Sequence, residues 1–302
     1  MILYPNCKIN MGLRVIRKRE DGFHDLETVF IPIYGLHDEL EVEKFTSASL
    51  INGREFQSDI VFTQEGIAVD CPAEDNLIVK CYRNFAKKYP QVGKIAVRFR
   101  KNIPFGAGLG GGSSDAAHMA IALNELFELG LTKEELAAEV KSLGADCPFF
   151  IYNTPCYAEG IGDQLTPVDL NMKGIRIILI KPEEGVSTRE AYSGITKHPE
   201  VEGQMKSVLS QAKPFYTLLG EAGLFSNDFE ETVFPKHPII ADIKKRLLDA
   251  GALYASMSGS GSTVFGLFQN DTEGRTDAQL RTLKEEFAAM ILLDDTFGKW
   301  KS

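Results

Sequence analysis

The stretch Pro104-Phe-Gly-Ala-Gly-Leu-Gly-Gly-Gly-Ser-Ser-Asp-Ala-Ala117 reads as a cradle for an anion, lined by backbone. Its five glycines let the chain turn tightly and bring N–H groups close to a ligand. An apolar, alanine-rich helix is expected to begin near Ser114 and to aim its positive end and unpaired N–H groups at the same spot. The hydroxyls of Ser113 and Ser114 suit phosphate oxygens or a magnesium ion, and one of them also suits the helix N-cap. The physical reading is a nucleoside triphosphate site built from Pro104, Gly106, Ala107, Gly108, Leu109, Gly110, Gly111, Gly112, Ser113 and Ser114.

Other glycine loops fit less well. Gly106 to Gly111 spells G-x-G-x-x-G, but a dinucleotide site needs a second strand and an acid about 20 residues on. Here a second helix follows, opened by the capping-box pattern Thr132-Lys-Glu-Glu135. No Gly-Lys-Ser/Thr follows, which excludes a Walker A loop, and the His-Arg-Asp and Asp-Phe-Gly signatures of protein kinases are missing. A flexible linker predicts polar flanks, whereas these flanks are apolar.

Working outward, Ile95, Val97 and Phe99 alternate as a strand over 94–100, and Leu40, Val42 and Phe45 mark another, half-buried and with one break in the alternation. Residues 75–89 have Leu77, Ile78, Cys81, Tyr82, Phe85 and Tyr89 on one helical face. Helices are expected near 114–129 and 133–143, with Gly144 as the stop. The apolar run Ile175 to Ile180 reads as a buried strand. Helices around 204–220, 239–250 and 278–291 and strands near 253–257 and 263–268 complete an α+β pattern. A junction at 167–174 divides it into domains 1–166 and 167–302.

The 302 residues carry 33 basic and 42 acidic side chains, a formal charge of −9, which argues against a nucleic-acid partner. No apolar run reaches the length of a membrane span, and the N-terminus does not read as a secretory signal. The five cysteines match no metal-binding spacing and suit reduced thiols, so a cytoplasmic protein with no membrane partner is expected, as a monomer or weak homodimer.

The cradle resembles the P-x-x-x-G-L-G-S-S-A motif of the GHMP kinase superfamily. Pro5-Asn-Cys-Lys-Ile-Asn10 near the N-terminus and Ser256-Met-Ser-Gly-Ser-Gly-Ser262 near the C-terminus are similar to two further motifs of that superfamily. Arg19-Glu-Asp-Gly-Phe-His24, the triple glycine at 110–112, Gly144-Ala-Asp-Cys-Pro148 and Ser226-Asn-Asp-Phe-Glu230 look like the branch that acts on CDP-methylerythritol. The resemblance implies a two-domain α+β fold with the active site in the cleft between the domains. It also implies ATP and Mg2+, and phosphoryl transfer to a small-molecule alcohol in non-mevalonate isoprenoid synthesis.

By that resemblance Asp146 is the base and Lys8 its partner, although an Asp beside Gly and Pro also suits turn capping. Phe23, where the branch usually has tyrosine, and His24 correspond to a cytosine pocket. Tyr192 would close its other side, Asn10 would help to hold the substrate, and Asn76 would lie near the adenine. Lys101 is either a phosphate or nucleotide contact or a surface lysine. Two alternatives stay open: a GHMP-type kinase with another alcohol acceptor, and a non-catalytic nucleotide or metabolite sensor on the same scaffold.

Overall fold

Apolar alternation and helical stripes resolve into twelve strands and ten helices among the described residues, which are 1–45, 59–68, 71–195, 203–211, 215–219, 223–269 and 275–298 of a computed structural model. In chain order β1 (Ile2–Leu3), β2 (Asn6–Lys18), β3 (His24–His37), β4 (Glu39–Lys44) and β5 (Ile60–Gly66) precede α1 (Leu77–Lys88). Then come β6 (Ile95–Lys101), α2 (Gly111–Leu126), α3 (Lys133–Val140) and α4 (Cys147–Tyr152). After β7 (Cys156–Glu159), β8 (Gln164–Pro167) and β9 (Ile175–Ile180) lie the short helices α5 (Thr188–Ser193), α6 (Gln204–Leu209), α7 (Phe215–Leu219) and α8 (Phe229–Val233). The chain ends with α9 (Pro238–Asp249), β10 (Tyr254–Met257), β11 (Val264–Gln269), α10 (Arg275–Glu286) and β12 (Ile291–Thr296).

The chain divides into two compact units that are discontinuous in sequence. Met1–Cys7, Leu36–Phe105 and Gly110–Asn153 form the first; Lys8–Gly35, Gly106–Leu109 and Thr154–Ser302 form the second. The segment 167–174 links β8 to β9 within the second unit.

In the first unit the sheet has the order β1-β4-β6-β5. Its inner face carries Leu40, Val42, Ile95, Val97 and Phe99, each 3% exposed or less. β5 runs parallel to β6, and the connection between them contains α1. This local βαβ step was not expected, because β5 is only half buried and lacks a clean apolar alternation. α2 packs against α1, α3, α4 and β4. Ala116, Ala117, Ala120 and Ala122 have no exposed surface, so small side chains let the neighbouring elements approach the helix on several sides. α2 begins at Gly111, not near Ser114, because Gly110 takes the left-handed conformation (φ 69°) of its N-cap. The Thr132 capping box at α3 is present as expected.

In the second unit β10-β11-β9-β12 form an antiparallel sheet. Ile178 and Ile180 of β9, Met257 of β10 and Val264 of β11 share a core cluster with Ile240, Ile243 and Leu247 of α9. Gly251 follows α9 at φ 94°, as a helix-stop glycine should. The expected helix over 278–291 ends at Glu286, and the chain from Ile291 turns into β12. That strand is hidden in sequence by its charges: Asp294 pairs with Arg176 of β9 at 2.6 Å and with Lys284 at 2.6 Å. The expected helix over 204–220 is two short helices, and residues 212–214 and 220 lie outside the described residues.

A buried ion cluster anchors α2 within the first unit. Lys101, 3% exposed, donates to Asp38 Oδ2 at 2.5 Å and to Asp115 Oδ2 at 2.7 Å. Asp38 Oδ1 also accepts the backbone N–H groups of Asn102 and Ile103, at 2.6 and 2.8 Å. The end of β6 is thereby tied to the second turn of α2. Burial alone would lower the Lys101 pKa, but the charges of Asp115 and Asp38 outweigh it and hold the ammonium above its ordinary range. Burial and the neighbouring Asp38 raise Asp115 well above the usual carboxylate range. Asp115 Oδ1 has no hydrogen-bond partner.

The two groups therefore predict opposite mutational outcomes. Lys101→Met strands two buried carboxylates and is expected to cost about 3–5 kcal/mol in urea unfolding. A carboxyl raised in the folded state stabilises the fold below its ordinary pKa, and that contribution is lost as pH rises through the raised value. Asp115→Asn is thus expected to gain on wild type in urea unfolding as pH rises above the ordinary carboxylate range.

Candidate active site

The glycine segment is shaped by what it leaves no room for. At Gly108 (φ 75°) a Cβ would stand 2.0 Å from the Ser258 carbonyl oxygen, so a side chain there is excluded both by space and by conformation. At Gly111 it would meet Ile103 Cγ2 at 2.9 Å and Lys101 Nζ at 3.0 Å. Ala107 and Leu109 are buried and anchor the segment, while Gly106 has open space around it. Gly110, Gly111, Gly112 and Ser113 then carry the chain into the first turn of α2, whose N–H groups precede the helical ladder and remain available to an anion.

The two serines divide in role. Ser114 is fully buried, its N–H bonds to Gly110 O at 2.9 Å, and its hydroxyl faces His118 Nδ1 at 3.3 Å. Burial holds the His118 pKa below its ordinary value. Ser113 is half-buried and its hydroxyl meets Cys147. Burial pushes the Cys147 thiol up to about 12, so that contact involves a protonated sulfur. Pro104 is half-buried at the entry to the cradle, and Phe105 is 73% exposed.

Asp146 directly precedes α4 and is half-buried. Its side chain makes no capping hydrogen bond, so capping does not explain the residue. Gly144 is extended, not left-handed; glycine fits because a Cβ there would press on Cys147 Sγ at 3.3 Å and on Ser113 Oγ at 3.6 Å. The turn that carries Asp146 therefore lies against the start of α2, inside the first unit. Asn76, expected near a nucleotide base, caps α1 by accepting from Ile78 N at 2.9 Å. It also lines an open cavity of about 440 Å³ with Phe62, Gln64 and Ile67. Lys101, offered above as a nucleotide contact or a surface lysine, is instead a buried residue behind the cradle, committed to Asp38 and Asp115.

In the second unit Lys8 is 4% exposed and joined to the glycine segment by its N–H, which bonds Leu109 O at 2.9 Å. Its ammonium donates to Asn10 Oδ1 at 2.5 Å and lies 4.9 Å from the centre of the Phe30 ring. Asn10 Nδ2 donates in turn to Thr28 Oγ1 at 3.0 Å, which orients the amide. Phe23 sits in a tight turn closed by Arg19 N–H to Phe23 O at 2.8 Å, and its ring is 59% exposed. His24 and Tyr192, separated by most of the chain, stack at 4.4 Å with planes 18° apart. Tyr192 also meets Phe229 edge to face, with ring centres 4.7 Å apart. The structure thus brings together His24 with Tyr192, Lys8 with Asn10, and Ser113 with the turn that carries Asp146.

Sequence reasoning gave no role to several residues that support this site. Asp38 and Asp115 carry no local signal, because their partner is found only in the folded chain. The 226–230 motif stood out without a role; Asn227 binds the carbonyls of Met257 and Gly259, and Asp228 Oδ2 accepts Val15 N–H at 2.7 Å. Among the described residues no helix is long and apolar enough to cross a membrane.

Comparison with known proteins gives the family. Residues 76–154 match the GHMP kinases N terminal domain, and residues 207–289 match the GHMP kinases C terminal domain. The chain is 45% identical over 272 residues to a 4-diphosphocytidyl-2-C-methyl-D-erythritol kinase of Bacteroides thetaiotaomicron, covering 89% of this chain and 92% of the relative. It is 45% identical over 273 residues to the enzyme of that name from Parabacteroides distasonis, covering 90% and 93%. A crystal structure of 4-(cytidine 5'-diphospho)-2C-methyl-D-erythritol kinase superposes with a TM-score of 0.75 at 28% identity, covering 98% of both chains. With both domain models matched and such relatives across nine-tenths of its length, the chain belongs to the GHMP kinases and, within them, to the family of the 4-diphosphocytidyl-2-C-methyl-D-erythritol kinases.

Proposed function

We propose that this chain transfers the γ-phosphoryl group of ATP to the 2-hydroxyl of 4-diphosphocytidyl-2-C-methyl-D-erythritol, a step in making isoprenoid precursors by the non-mevalonate route. One observation carries the reading beyond the family resemblance. Lys8 is hydrogen-bonded to the glycine segment at Leu109, and the turn with Asp146 lies against Ser113, where that segment enters α2. Phosphoryl transfer asks chiefly for positioning, charge neutralisation and a proton acceptor.

In this reading the backbone N–H groups of the glycine segment and of the first turn of α2 hold the phosphates. Asn76 and the cavity beside it take the adenine. Asp146 accepts the proton of the 2-hydroxyl as that oxygen bonds to the γ-phosphorus. The bond from the γ-phosphorus to the bridging oxygen breaks, and ADP leaves. The ammonium of Lys8, oriented by Asn10, offsets charge on the attacking oxygen. Phe23 offers a stacking face to cytosine, while His24, fixed against Tyr192, presents its ring nitrogens to the polar edge of the base.

Mg2+ accompanies ATP in this proposal. Among the described residues no group of three or more His, Cys, Asp or Glu side chains is arranged to hold a metal. That suits a magnesium ion that keeps several waters and the phosphate oxygens and takes only one or two protein ligands, for which the half-buried Ser113 hydroxyl fits. When bound, the ion supplies charge neutralisation on the phosphates.

The reading is tested by an ATP-dependent phosphorylation assay that compares 4-diphosphocytidyl-2-C-methyl-D-erythritol with mevalonate, homoserine and galactose. Turnover confined to the first compound is expected; turnover of another alcohol, or of none, refutes the assignment. Asp146→Asn is expected to fold normally and to lose about 3 kcal/mol of transition-state stabilisation, read as a fall in kcat of roughly a hundredfold or more. Phe23→Ala is expected to weaken acceptor binding by about 1–3 kcal/mol and to leave the KM for ATP unchanged.

A further inference from the structure

A second glycine turn lies behind the first, and one side chain locks it. Asn227 is 2% exposed. Its amide group donates to Met257 O at 2.7 Å and to Gly259 O at 2.8 Å, and its carbonyl oxygen accepts Phe229 N–H at 3.0 Å. Both amide hydrogens are thus spent on the carbonyls that flank Ser258. An aspartate has no hydrogens to give them, and an apolar side chain would leave two buried carbonyls unpaired.

Ser258, with no exposed surface, is the residue this clamp presents. Its hydroxyl donates to Gly108 O at 2.9 Å and accepts Asn10 N–H at 3.3 Å. Asn10 is the residue that receives the ammonium of Lys8. The residues on either side of Asn227 are themselves pinned to β2, five residues beyond Lys8. Leu13 N–H bonds Ser226 O at 2.9 Å, and Asp228 N–H bonds Leu13 O at 2.8 Å. From the far side Glu230 Oε1 accepts Met257 N–H at 2.8 Å and the Ser256 hydroxyl at 3.1 Å. A continuous set of buried hydrogen bonds therefore runs from Asn227 through the turn to Ser258, and from Ser258 both to the glycine segment and to Lys8, all within the second unit.

We propose that Asn227 is a positioning residue for phosphoryl transfer: it locks the turn at 257–259 so that Ser258 fixes the Gly108 carbonyl and the Asn10–Lys8 pair in one arrangement. The inference rests on the kinase reading given above. A rigid donor set aimed at developing charge loses most of its effect when displaced by an ångström or less. Asn227 touches no reacting group itself and acts through Ser258.

The test uses the full-length protein and four variants: Asn227→Ala, Ser258→Ala, the double variant, and Tyr254→Phe as a control. Tyr254 makes buried hydrogen bonds to Phe225 O and Gly12 N in the same region but lies off this path. Asn227→Ala and Ser258→Ala are each expected to lower kcat about 10- to 100-fold, with the acceptor KM within about threefold of wild type. The double variant is expected to be no more than about threefold worse than the worse single one, because both break the same path. Hydrogen exchange of the 104–112 peptide is expected to quicken in both single variants and to stay at the wild-type rate in Tyr254→Phe, whatever melting temperature each loses. Unchanged kcat and exchange in Asn227→Ala, or fully additive losses in the double variant, would overturn the proposal. Failure of wild type to phosphorylate the acceptor would refute the kinase reading instead, while the exchange comparison still decides the role of Asn227.

Discussion

The carbonyl oxygen of Ser258 stands 2.0 Å from the point where a side chain on residue 108 would begin, and the rest of the structure is arranged around that closeness. Two stretches of backbone approach each other with nothing between them but the missing β-carbon. The approach is fastened by the Ser258 hydroxyl on Gly108 O and by Thr263 N–H on Ala107 O at 3.3 Å. These bonds use carbonyl oxygens of the segment and not its N–H groups, which in the proposed reading hold the phosphates together with the first turn of α2. Glycine is required at residue 108 by geometry, and the conformational entropy it gives up on folding is the cost of that geometry.

A protein of formal charge −9 that binds a triphosphate has to supply local positive potential without a basic surface. In the proposed reading backbone dipoles and the buried ammonium of Lys8 supply it. Lys8 and Lys101 are both less than 5% exposed, yet they do different work. Lys101 is held between two carboxylates and ties β6 to α2, which fixes the direction in which the helix points. Lys8 donates to the amide oxygen of Asn10 and lies over the face of the Phe30 ring.

What could be read from the sequence follows from the range of the interactions involved. The strand with Ile95, Val97 and Phe99, the capping box at Thr132 and the apolar strand from Ile175 depend on neighbours within a few residues, and all are present. β5 and β12 were missed because they sit at sheet edges, half-buried, with charged or polar residues where alternation was sought. Lys101 looked like a surface lysine at a strand end because its two partners lie 63 residues before it and 14 after it. The His24–Tyr192 stack and the clamp of Asn227 on Gly259 likewise join segments far apart in the chain. Motif resemblance marked those segments as important, but only folding gives the reason. The start of α2 was misplaced by three residues for a different cause: glycine is a poor helix former, yet Gly110 in the left-handed conformation is the N-cap and Gly111 and Gly112 open the helix.

The most direct test of this account is a calorimetric titration of a non-hydrolysable ATP analogue into wild type and Gly108→Ala, with circular dichroism confirming that the variant is folded. A methyl group at residue 108 must push the segment away from Ser258, so the account predicts a folded protein whose nucleotide affinity is weakened by about tenfold or more. A folded Gly108→Ala protein that binds the analogue as tightly as wild type would contradict it.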